Sequence, residues 1–95
     1  KNAIPDNKSF RDLKKGETFF VSQFKPDGIC VYTEEIKITS IDKEPTRWIF
    51  SGFTKEGRKC HQPVLTEDLD KPFMWMINPH DISYLVSLKW TKSRF

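Results

Sequence analysis

From Thr18 onward, apolar residues recur at nearly every second position, and short polar breaks divide them into segments. Alternation of this kind marks strands with one buried face. The segment GETFFVSQF (16–24) is rich in aromatic and β-branched residues and runs into KPDG, where Pro26 presets a turn and Gly28 supplies a positive φ. A hairpin follows, with ICVYTEEIKITSI (29–41) as a long return strand. Thr33, Glu34 and Glu35 interrupt its apolar pattern, so a bulge or bend is expected there. DKEPT then turns the chain into RWIFSGF (47–53), and TKEGR turns it into KCHQPVL (59–65). Pro63 marks this fourth strand as an edge or a break.

TEDLDKP (66–72) reads as a polar loop, and the uncharged run FMWMINP (73–79) as a fifth strand. So apolar a run is expected to be largely buried, with Phe73, Trp75 and Ile77 on one face and Met74 and Met76 on the other. In ISYLVSLKWTKSRF (82–95) a period of two collects Ile82, Tyr84, Val86, Leu88 and Trp90. A helix begun by Pro79 and Asp81, with Leu85 on its apolar face, is the rival, but it matches fewer positions. Ahead of the strands, Ser9 and Asp12 form a short helix-start signal before Phe10 and Leu13, ended by Gly16. Residues 1–9 read as an extended arm and 10–95 as one domain. Five or six short strands without a long helix predict an all-β chain, a small antiparallel sheet coiled into a barrel with short helical turns.

Ninety-five residues suffice for one modest core and leave no room for a separate catalytic domain. At 37% hydrophobic and 31% charged residues the chain is expected to fold. No apolar run approaches the roughly 18 residues needed to cross a bilayer, so a soluble, cytoplasmic protein without membrane partners is expected. Cys30 and Cys60 are too few for a disulfide framework and read as buried thiols, with a single bridge between them as the rival. A net charge of +3 permits a polyanionic partner without demanding one. Lys1, Lys8, Arg11, Lys14 and Lys15 crowd the start, Lys89, Lys92 and Arg94 the end, and much of the acid lies between.

SFRDLKKGETFFVSQF followed by IKITSI resembles the opening of SH3-like barrels, including the KOW-type domains of transcription and translation factors. Leu13, Gly16 and Glu17 fall in the order such domains show before a hydrophobic strand. Phe19 and Val21 match the inward residues of that strand, and Ile36, Ile38 and Ile41 match the second. The resemblance covers residues 9–42. It implies an SH3-like barrel and a binding role toward nucleic acid, and barrels of this type also bind peptides and proteins.

Catalytic constellations are thin. Cys60 and His61 are strand neighbours and point to opposite faces, so they do not converge on one ion, and His80 and Asp81 add no second ligand pair. Glu34 with Glu35, and Asp68 with Asp70, sit where charge is commonly just solvated. The four glycines are scattered singly, so no phosphate-cradling loop exists. Neither a cofactor nor a metal is expected, and the chain reads as a non-enzymatic binding or regulatory domain. Its most suggestive pattern interleaves aromatic with basic residues. Arg11, Lys14, Lys15, Arg47, Lys89, Lys92 and Arg94 form the candidate cationic set and Trp90 a candidate stacking platform for DNA or RNA. The competing reading has Trp48, Trp75 and Trp90 in the core. The function would then be docking to a partner protein through an apolar patch or a strand edge, with a homodimer as one variant.

Overall fold

The computed structural model describes residues 8–77 and 82–89. Six antiparallel strands form one sheet curled into a half-barrel: β1 Thr18–Phe24, β2 Cys30–Lys43, β3 Arg47–Phe53, β4 Lys59–Leu65, β5 Phe73–Ile77 and β6 Ser83–Ser87. The mainly-β antiparallel architecture is the one the alternation predicts. Strand order is β4-β3-β2-β1-β6-β5, so four strands form a meander and the last two add to the other side of β1. The rival helix at the chain's end is excluded over Ser83–Ser87, which pair with both β1 and β5.

Both predicted tight turns are present, with Gly28 and Gly57 at φ near +89° and +88°. Bulges differ in place from the expectation. Thr33, Glu34 and Glu35 keep regular pairing with β1, and the ladder instead slips where Val31 has no partner and again at Thr39. The reason is visible in the inward series. Tyr32, Glu34 and Ile36 stay in phase on one face even though the polar residues hide that phase from a hydrophobicity count. Near the second slip the Ile38 N–H donates to the Glu17 carbonyl while Ile38 pairs with Gly52 on the other side. β2 thus passes from its pairing with β1 to its pairing with β3.

The core lies on the concave face. Phe10, Phe19, Ile36, Ile38, Phe50, Val64, Leu69 and Val86 are almost fully buried there. Phe50 is central, with ring centroids 6.5 Å from Phe10, 6.4 Å from Phe19 and 6.3 Å from Trp48, in tilted and edge-on contacts that suit aromatic quadrupoles. A smaller cluster of Phe24, Cys30 and Leu85 sits on the opposite face. There Ser22 is buried, and its hydroxyl is 2.8 Å from that of Thr33.

The predicted turn at Ser9 is a 3-10 turn, Phe10–Asp12, whose Asp12 carboxylate accepts the Ser9 N–H. A second 3-10 turn, Thr66–Asp68, falls in the segment read as a loop. The Phe10 N–H donates to the Lys71 carbonyl and the Leu88 N–H to that of Pro72, which brings the turn at Phe10 and the end of β6 to one end of the half-barrel. Residues 1–7 of the expected arm lie outside the described residues, while Lys8 and Ser9 already belong to the packed domain.

Candidate functional site

Two of the candidate cationic residues are taken up in ion pairs. Arg11 donates through Nε to Asp70 at 2.8 Å, and this bond holds the Asp70 carboxyl below its usual range. Arg47 pairs with Glu44 at 3.0 Å. Lys14 and Lys15 are exposed and outside any ion pair among the described residues. Lys89 is exposed just past β6. Trp90, Lys92 and Arg94 lie outside the described residues, so the structure does not place them.

One basic and aromatic group is assembled nonetheless. Trp48 is half-buried against Phe50, with the Arg11 guanidinium 5.7 Å and the Lys43 ammonium 4.6 Å from its ring. Lys43 was not in the expected set, though its register partner on β3 is Trp48 itself. Sequence spacing offered a signal here, because Lys43 opens the DKEPT turn beside Asp42 and Trp48 follows the turn by two residues.

The expectation for residues 73–79 is overturned in its burial. β5 is an edge strand, and Phe73 and Trp75 are each 50% exposed and Ile77 71% exposed. Trp75 is therefore not a core residue. An apolar run is buried only if something packs on both its faces, and Phe73, Trp75 and Ile77 stand on the outer face of the sheet, away from the main core. Trp75 lies against Phe24 with centroids 5.4 Å apart, and beside them Pro26, Ile77, Lys25 and Ser83 line a shallow groove. Met74 and Met76 turn to the concave side, and Met74 packs on the main core. The opposite sheet edge, β4, carries Pro63, whose missing N–H suits an edge position. β5 has no such guard.

A second feature was missed altogether. Where the half-barrel stays open, a cleft of about 330 Å³ reaches down to Phe19, Val21 and Ile36. Register builds its sides: Tyr32, Gln23, Tyr84 and Met76 stand in one cross-strand row, with Glu34, Val21, Val86 and Met74 in the next. From β4, Cys60 and Gln62 close the far wall, and the Gln62 amide Nε2 donates to the Met76 Sδ at 3.5 Å. Arg58 donates to Glu34 at the rim. Burial, then the nearby Glu34 and Tyr84, push the Tyr32 phenol above its ordinary value, so it is a protonated donor at neutral pH.

Cys30 and Cys60 are free thiols, as expected, but Cys60 is only half-buried. His61 points away from Cys60, with Nδ1 2.8 Å from the Ser51 hydroxyl. Glu34 and Glu35 occupy a regular strand and contact Arg58 and Lys55. Asp68 pairs with Lys71 at 2.8 Å. Among the described residues no helix is long and apolar enough to cross a membrane. Comparison of the chain with protein-family models, curated proteins and solved structures finds no match.

Proposed function

We propose that this chain is a non-enzymatic binding domain that docks a partner protein through β5 and the groove beside it. One observation carries the reading: an uncharged edge strand presents Phe73, Trp75 and Ile77 to solvent, with Trp75 in tilted contact with Phe24. Soluble proteins seldom leave a contiguous apolar patch with no partner, and an edge strand without charge or proline is a template for pairing. Aromatic side chains in such a setting are the usual anchors of protein interfaces. Lys25 on the groove's margin favours an acidic residue at the rim of the partner.

A second reading, binding of DNA or RNA, draws support from Trp48 with Arg11 and Lys43, and from exposed Lys14 and Lys15. Carboxylates on Arg11, Arg47 and Arg58 weaken the local positive field and make it the lesser one. The SH3-like resemblance accommodates both.

The test places a photo-crosslinking aromatic residue at position 75 in cells that make the protein, with position 55 as the control. A single adduct at 75 that survives nuclease, is absent at 55 and disappears with Ile77→Asp supports protein docking. Salt-sensitive binding of oligonucleotides that Ile77→Asp leaves intact, with no adduct at 75, would overturn it in favour of nucleic acid.

A further inference from the structure

The concave cleft is separate from β5's exposed row, because Met76 faces the cleft while Trp75 and Ile77 face outward. Its volume, about 330 Å³, falls at the lower end of the range for small-molecule sites, and the mouth of a barrel is a usual place for one. The floor is apolar. The upper walls are two phenols in the same cross-strand row, which offer ring faces for stacking and O–H groups for hydrogen bonds.

Charge at the rim selects the head group. Arg58 lines the opening beside the single acid Glu34, and Lys59 follows it at the start of β4. Arg58 donates one side-chain bond, to Glu34, among the described residues. A planar guanidinium has five N–H donors, so the rest of its fork is available to a carboxylate. A cationic ligand would meet a carboxylate that Arg58 already neutralises. A neutral one would leave the remaining donors of Arg58 without an anionic acceptor.

We propose that the cleft binds a small aromatic carboxylate, whose ring enters between Tyr32 and Tyr84 and whose carboxylate meets Arg58. The site opens to water, since Tyr32 is 41% and Met76 36% exposed, so binding is modest, with a dissociation constant on the order of 0.1 mM. The proposal does not rest on protein docking at β5.

Titration of isotope-labelled protein with 2-naphthoate, followed by NMR, tests it, with 2-naphthalenemethanol as the uncharged control. Saturable shifts at Val21, Met76 and Tyr84 that spare Trp75 are expected. The alcohol binds about tenfold more weakly, and Arg58→Gln weakens the acid by a similar factor. Arg58 has a side chain 57% exposed, so the variant is expected to keep the wild-type spectrum elsewhere. If that variant fails to fold, the comparison of acid with alcohol decides alone. Absence of saturable shifts in the cleft, shifts centred on Trp75, or equal binding of acid and alcohol would each overturn the proposal.

Discussion

Gly52 should be the least replaceable glycine in the chain, for a reason unrelated to its backbone angles. It lies on β3 opposite Ile38, near the slip where β2 changes partners. A methyl group in place of its hydrogen would lie 1.9 Å from the Lys37 carbonyl oxygen, 2.7 Å from the carbonyl carbon and 3.1 Å from Ile36 Cγ2. A carbon sits comfortably about 3.3 Å from a carbonyl oxygen, so the strands must part by roughly 1.4 Å. The two nearest atoms are backbone, and no rotamer change relieves them. Overpacking costs about 1–3 kcal/mol in cores where side chains can give way, so Gly52→Ala is expected to cost about 3 kcal/mol or more. For a domain of this size that lowers Tm by roughly 12–24 °C. Gly57→Ala is the control: nothing lies within 4 Å of the added methyl, and the positive φ alone costs about 1–2 kcal/mol. Urea unfolding followed by far-UV circular dichroism measures both. A loss for Gly52→Ala smaller than that for Gly57→Ala, at equal m, would refute the reasoning.

Two titrations test the electrostatics. Glu17 accepts hydrogen bonds from the Lys8 ammonium at 2.9 Å and the Lys14 N–H at 2.8 Å, and these, the Lys8 bond foremost, hold its carboxyl below the usual range. Its stabilising contribution is therefore present above the ordinary carboxyl value and lost as pH falls through the depressed one. Lys8→Met should raise the Glu17 midpoint seen by carboxyl-carbon NMR, and an unmoved midpoint would rule out the Lys8 bond as its cause. Tyr32 is shifted the other way, so its contribution is present below the ordinary phenol value and lost as pH rises through the folded one. Filling the cleft floor by Val21→Phe should raise it further in an ultraviolet phenolate titration, whereas Glu34→Gln should lower it.

What the chain discloses by itself depends on how local the cause is. The β1–β2 hairpin was legible because Pro26 and Gly28 set their turn from within a few residues. Trp75 was misjudged because the sequence FMWMI describes its own strand and not what covers the strand's outer face. Ion pairs such as Arg11 with Asp70, 59 residues apart, leave no trace in spacing. Nor does the cleft, whose walls come from five strands. Part of it was within reach: the period of two that joins Tyr84 to Val86 and Leu88 already puts a tyrosine on the core face, and Tyr32 stands in the same phase as Ile36.

The strand order also orders the folding reaction. Between β1 and β4 every ladder joins neighbours in the chain, and β5 with β6 forms another local pair. Among the described residues, only the β1–β6 ladder joins distant segments, from Phe20 to Ser87. Loop closure makes such a contact slow to form, so the meander should assemble first and the β5–β6 unit dock onto it afterwards. Until it docks, Phe19 and Phe20 flank an open edge on β1, which makes that strand the point of greatest exposure while the chain is being made.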